Sequence, residues 1–166
     1  MTDHIWGHAP TETREWLARH AEVYLASGGR EGHLVDLTHA GGNGYHTHLL
    51  LRTYGRKSGK AYIAPLAYGI IANQVTIIAS KGGADYHPSW YLNLTAREEV
   101  EFQIATQAFR GTWREPEGEE REAVWQQRVA TYPPFARYQD STARRIPIVM
   151  MTIREPIPVF SPADPG

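Results

Sequence analysis

Hydrophobic positions along the chain follow two rhythms. Near the N-terminus Trp16, Leu17, Ala21, Tyr24 and Leu25 recur every three or four residues, which predicts a helix over 11–26 that Ser27-Gly28-Gly29 stops. The rhythm then shortens. Short apolar runs predict strands over 34–38, 46–53, 61–71 and 75–79, with Ala40-Gly41-Gly42-Asn43-Gly44 as a turn after the first. A short helix is predicted over 88–95. Val100-Glu101-Phe102-Gln103-Ile104 alternates strictly, the mark of a half-buried strand, and 109–114 is its expected antiparallel partner. Pro116 with Glu117, Glu119 and Glu120 marks a helix start, because proline fits a first turn and acids favour the positive dipole end. That helix carries Val124, Trp125 and Val129 inward and ends near Tyr132-Pro133-Pro134. A second helical piece over 135–141 precedes a closing strand over 146–153.

Six or seven strands, mostly joined by hairpins, do not alternate with helices as a doubly wound sheet requires. The pattern predicts a mainly β, α+β chain: a split antiparallel β-barrel with flanking helices. Its expected organisation is an N-terminal segment over 1–30, a barrel over 31–154 and a tail over 155–166. Pro156, Pro158, Pro162 and Pro165 make that tail an extended or loose one. The N-terminal helix has two uses open to it, packing on its own barrel or lying on a membrane surface. Oligomeric state is left open by the pattern.

Composition narrows the chemistry. With 166 residues the chain suits one domain with a full core. It has no cysteine, so disulfide scaffolds, iron–sulfur clusters and thiol nucleophiles are excluded. The first ten residues lack the basic start and apolar stretch of a signal peptide, and cytoplasmic residence is the default expectation. A net charge of −1 gives no case for nucleic-acid binding. Positive charge is nonetheless unevenly spent: the three lysines, Lys57, Lys60 and Lys81, all lie in glycine-flanked loops. Such placement points to an anion site.

Two loops carry that chemistry. In Gly55-Arg56-Lys57-Ser58-Gly59-Lys60 the glycines free the backbone, Arg56 can grip a phosphate with two parallel hydrogen bonds, and Lys57 and Ser58 add a point charge and a hydroxyl. The spacing fails that of a nucleoside-triphosphate loop, and Ala61 stands where a magnesium-binding hydroxyl is needed. Ser80-Lys81-Gly82-Gly83 is a second loop of the same kind, ahead of a helix. His46 and His48 share a strand face, with His33 and His39 near in sequence, but no spacing supplies a third ligand, so no metal is expected. Asp36, a histidine and Ser58 lack the strand–turn–helix elbow of a hydrolase triad. Tyr132, Phe135 and Tyr138 fall three apart, which suits either core packing or an aromatic wall over a planar substrate. Trp90-Tyr91 offers a further aromatic surface.

In this order Thr53-Tyr54-Gly55-Arg56-Lys57-Ser58-Gly59, Ala64-Pro65-Leu66, Ala79-Ser80-Lys81-Gly82-Gly83-Ala84, His87-Pro88-Ser89-Trp90-Tyr91-Leu92-Asn93-Leu94, Tyr132-Pro133 and Arg145-Ile146-Pro147-Ile148-Val149 resemble the deazaflavin-dependent nitroreductase family of actinobacteria, split-barrel enzymes that use coenzyme F420. The resemblance implies that Arg56, Lys57 and Ser58, with Lys60 and Lys81, hold the cofactor phosphate. It places Ala79, Ser80, Gly82 and Gly83 beside the deazaflavin ring, and Pro65, Trp90 and Asn93 along the cofactor channel. Tyr68, Tyr132, Phe135 and Tyr138 are implied to contact substrate, with Tyr132 or Tyr138 as proton donor and Ser80 steadying charge on the ring. Two departures matter. Phe135 lacks the hydroxyl of the family's usual middle tyrosine, and Ala67 replaces another; nitroimidazole reduction is the activity these put in question. The implied reaction is hydride transfer from reduced F420 to a quinone, an activated enone or a nitroaromatic. An FMN-dependent oxidoreductase on the same barrel, or a non-catalytic binder of deazaflavin or apolar ligands, is the alternative.

Overall fold

The computed structural model describes residues 11–38 and 41–162. His39, Ala40 of the expected turn, the first ten residues and the end of the tail lie outside the described residues. Helix α1 (Thr11–Ala26) leads into β1 (Leu34–Asp36), β2 (Tyr45–Tyr54), β3 (Ala61–Ala67), β4 (Gly69–Ile71) and β5 (Gln74–Ile78). A single 3-10 turn (Lys81–Gly83) and α2 (Ser89–Leu94) precede β6 (Glu99–Ile104) and β7 (Gln107–Arg114). Helices α3 (Gly118–Thr131) and α4 (Pro134–Asp140) then lead to β8 (Ile148–Ile157).

Every strand pairing is antiparallel, and the ladder runs β3-β2-β6-β7-β8-β5-β4, with β1 also on β2. The two end strands of this path, β3 and β4, are joined by Tyr68 alone. Two residues span at most about 7 Å, so the sheet must curl until its ends meet. Covalent chain closes the barrel at that seam and no ladder does so among the described residues, which makes it a split barrel. The single strand expected over 61–71 is therefore two strands broken at Tyr68. Gly69 permits the corner, because a Cβ there would collide with the Arg128 guanidinium. Ala72 and Asn73, both at positive φ (50° and 62°), make the two-residue turn from β4 to β5.

The barrel interior is apolar, built on Leu49, Leu51, Leu66, Ile77, Phe102, Val149 and Met151. A second cluster packs Val124 of α3 and Phe135 of α4 onto Ile78, Ile148 and Met150. The third seats α1 and the tail, through Tyr24, Leu25 and Phe160, on Leu50, Ile63 and Ala108. Burying these side chains, at about 1.5–3 kcal/mol each, drives the assembly.

Strand β6 is not half-buried as its alternation predicts, for Glu101 and Gln103 are buried too. The C-terminal segment is the reason. It is not loose: β8 continues to Ile157, three residues past the expected boundary at 154, and Phe160 is buried. The Phe160 amide donates to Gln103 Oε1 at 2.7 Å, while Gln103 Nε2 donates to the Ala105 carbonyl at 2.9 Å. Arg52 pairs with Glu101 and stacks over the Phe160 ring at 4.2 Å. Both polar side chains are thus buried with partners. Helix α1 also commits its inner face to the barrel. The fully buried Tyr24 hydroxyl donates to the His48 carbonyl at 2.9 Å and accepts from the Ala105 amide at 2.8 Å. Among the described residues no helix is long and apolar enough to cross a membrane.

Beneath α1 lies His48, whose Nδ1–H donates to the His46 carbonyl at 3.1 Å. Burial first, then the nearby imidazoles of His20, His46 and His33, push its pKa down from 6.5 to about 4. Native His48 therefore resists a proton that the unfolded chain accepts below about 6.5. Its contribution is fully present above that pH and is lost as pH falls toward 4, a loss of about 3 kcal/mol. Denaturant titrations at pH 7 and pH 4.5 are expected to differ by this much in the wild type and by clearly less in His48→Gln. An equal loss in both would remove His48 as the cause.

Candidate active site

The loop between β2 and β3 is a tight turn closed by the Gly55 amide on the Lys60 carbonyl and the Gly59 amide on the Gly55 carbonyl, both at 2.8 Å. Ser58 Oγ accepts from the Lys60 amide at 3.2 Å, so this hydroxyl shapes the turn. Arg56, Lys57 and Lys60 are exposed, and no carboxylate pairs with them among the described residues. The amides of Lys57 and Ser58 at the tip likewise donate to no acceptor among those residues. Asn93 braces the loop from α2: its buried Oδ1 accepts from the Arg56 amide and from Arg56 Nη1, both at 3.1 Å. What results is a basic turn with two free amides on a fixed base. Such a turn is a built anion cradle.

The second loop leaves β5 with the fully buried Ala79 and then turns through Lys81, Gly82 and Gly83, at φ of 45°, 63° and 85°. Three successive left-handed residues point neighbouring amides the same way. Ser80 Oγ and the amides of Lys81 and Gly82 have no protein acceptor among the described residues. Gly83 is needed for closeness as well as angle, since a Cβ there would collide with Ser141 Oγ and stand 2.8 Å from the Tyr138 carbonyl. Lys81 Nζ sits 4.5 Å over the Tyr86 ring, and burial, then Arg144, holds its pKa below the usual lysine value.

Arg144, which the sequence reading passed over, organises this loop. Its guanidinium donates to the carbonyls of Ala84 (2.6 Å), Ser80 (2.7 Å) and Ala79 (3.2 Å), and to His87 Nδ1 (3.1 Å). Ser141 adds a bond to the Gly83 carbonyl at 3.1 Å. One chain of contacts therefore runs from the Arg56 turn through Asn93 and α2 to His87, Arg144 and the Lys81 loop, and on to α4.

A family profile described as F420H2-dependent quinone reductase matches residues 16–153 of the chain. The chain belongs to this family. An F420H2-dependent quinone reductase of Mycobacterium tuberculosis is 31% identical over 151 residues, covering 84% of this chain and 97% of its own. A solved F420-H2 dependent reductase (FDR-A) is 42% identical with a TM-score of 0.57, over 63% of this chain and 93% of that one. Another solved structure, described as a domain-swapped dimer, is 36% identical with a TM-score of 0.60, over 84% and 99% of the two chains. The reductase is an F420-dependent oxidoreductase on a split barrel, as the resemblance implied.

The remaining residues singled out in the sequence fall into two environments. In the reductase Pro65 on β3 and Trp90 on α2 are buried in or against the barrel. Tyr132, Phe135 and Tyr138 do cluster, with ring centroids 4.9, 6.4 and 6.3 Å apart. Tyr132 and Phe135 are buried, as core packing requires, and Tyr138 is half-buried. The Tyr132 and Tyr138 hydroxyls stand 3.4 Å apart, and burial, then Tyr138, pushes the Tyr132 pKa up. Tyr68 lies at the barrel seam with its hydroxyl 2.7 Å from His33 Nε2. His46 turns its ring edge to Tyr132 at 5.2 Å and bonds Asn43 Oδ1 at 2.8 Å. No group of three metal-ligating side chains exists among the described residues. Sequence periodicity did hold a sign of Arg128, one turn beyond Val124 on the inward face of α3, where it is buried.

Proposed function

We propose that the chain reduces quinone-type acceptors with reduced F420, the two basic loops holding the cofactor and the α4 aromatics holding the acceptor. The observation that carries this is the single rim formed by Asn93 and Arg144, which fixes two sets of unpartnered donors relative to one another. These groups fit a cofactor with a phosphate at one end and a ring that gains negative character at the other. Arg56, Lys57, Ser58 and Lys60 bind the phosphate, with Lys81 adding charge nearby. Ser80 Oγ and the amides of Lys81 and Gly82 face the ring, and Ala79, Pro65 and Trp90 exclude water behind it. Reduced F420 supplies the hydride when bound. Tyr132, Phe135, Tyr138 and Tyr68 wall the acceptor, and the Tyr138 hydroxyl, at the solvent side, gives the proton that completes reduction of a carbonyl to a hydroxyl. Tyr132 orients that hydroxyl. Membrane contact through α1 is no part of this reading: its outward positions Glu12, Glu15, Arg19 and Glu22 present more acid than base to an anionic leaflet.

The test is turnover of a naphthoquinone, an activated enone and a nitroaromatic with reduced F420, followed by return of oxidised-cofactor fluorescence. The quinone is expected to exceed the nitroaromatic in kcat/KM by about 100-fold, because Phe135 removes one proton donor. Tight cofactor binding with no acceptor reduced would overturn the proposal in favour of a binding protein.

A further inference from the structure

The inward arginines of this chain are provided with oxygens. Arg52 has Glu101, Arg121 Nη2 has the Ile146 carbonyl at 2.7 Å, and Arg144 has three carbonyls. Arg128 has none. It is 3% exposed, its Nε is buried without a partner, and its guanidinium makes no hydrogen bond or ion pair among the described residues. Its surroundings are the Phe135 ring at 5.7 Å from Cζ, the Gly69 backbone against Nη1, and His46 within electrostatic reach. None of these is an anion. The histidine is held neutral by burial and then by Arg128 itself, and its Nε2 is already engaged with Asn43.

A buried cation without a counter-charge costs stability, and removing it for an apolar side chain of like volume normally restores some. A protein that keeps one beside its functional site is expected to gain an anion there during function. The place fits. Phe135 touches both the Arg128 guanidinium and the Tyr132 and Tyr138 rings, so the guanidinium adjoins the aromatic cluster. Arginine also suits the task chemically, since its fork offers two parallel donors to a carboxylate.

We propose that Arg128 is the anion subsite of the acceptor pocket, and that the preferred acceptors carry a carboxylate which reaches past the Phe135 ring to the guanidinium. This rests on the placement of the acceptor against the α4 aromatics. It makes Arg128 a specificity-determining residue: it leaves the hydride step alone and selects which molecule receives it.

The probes are a naphthoquinone bearing a short carboxylate side chain and its methyl ester. With wild-type protein and reduced F420 the acid is expected to exceed the ester in kcat/KM by at least ~10-fold, the worth of one charge-assisted contact. Arg128→Met is expected to erase that preference with ester turnover kept, while its melting temperature stays level or rises. Arg128→Lys should keep part of the preference. A melting temperature that falls in Arg128→Met, with both probes losing rate equally, would make Arg128 structural and overturn the proposal. So would equal rates for acid and ester in the wild type, or a preference that survives in Arg128→Met. Calorimetric titration of the acid into protein without cofactor separates this from the parent reading. Binding that the wild type shows and Arg128→Met lacks supports the subsite even where no acceptor turns over, and equal binding by both sinks it.

Discussion

Replacing Arg56 and Lys57 together by alanine is expected to weaken F420 binding by at least ~100-fold without unfolding the protein. Each side chain stands to give one charge-assisted contact to the cofactor phosphate, and such contacts contribute about 1.5–3 kcal/mol. Two of them amount to roughly two to four powers of ten in Kd. Fold effects are small for a stated reason. Both side chains are exposed, and the one brace they share with the core, Asn93 Oδ1, keeps its bond from the residue-56 amide whatever side chain follows. A melting temperature within about 2 °C of wild type is expected, as for other exposed substitutions. Fluorescence titration with oxidised F420 reads the affinity, and raising the salt should weaken wild-type binding more than the variant's. An unchanged Kd in the double variant would move the phosphate elsewhere.

That turn was legible in the sequence because its shape and charge lie in local composition: glycines at its ends, cations between them, and strands on either side. The Lys81 loop was legible for the same reason, and α1 and most strands followed from periodicity. What the sequence hid was made by distant contacts. Strand β6 alternates in the sequence, yet both its faces are buried, because Phe160, 57 residues later, covers Gln103. The break at Tyr68 brings Gly69 against Arg128, two residues with no local sign of each other. Trp90 and Pro65 were expected along a channel; both are buried, Trp90 because α2 lies against β2. Arg144, and Arg128 despite its inward spacing from Val124, were hard to read for a chemical reason. An arginine between helices or on one reads as a solvated charge, and only the fold reveals whether oxygens wait for it.

Arg144 provides the stronger test of how the two loops cooperate. Arg144→Met removes four hydrogen bonds, to the carbonyls of Ala79, Ser80 and Ala84 and to His87 Nδ1, from a segment that includes three left-handed residues in a row. Left-handed backbone at the non-glycine Lys81 costs on the order of 1–2 kcal/mol and persists only where its surroundings fix it. Without the guanidinium the carbonyls lose their donor and the turn loses its reason to hold. A stability loss of about 1.5–3 kcal/mol is expected, the worth of hydrogen bonds made by a charged group at a partly buried position. Hydride transfer should fall by about 100-fold, since amides displaced by even 1 Å no longer face the ring. Phosphate binding at Arg56 should survive, because Asn93 braces that turn independently. The variant is therefore expected to keep micromolar affinity for the cofactor's tail while losing turnover, a split that no general unfolding produces. Arg144→Lys should recover part of the melting temperature and little of the rate, because one ammonium cannot span carbonyls that the planar fork reaches together. Thermal melts, F420 titration and single-turnover rates on the three proteins decide the matter. Full turnover in Arg144→Met would show that the Lys81 loop holds its conformation without the clamp, and the Gly83 contact with α4 would then be what positions it.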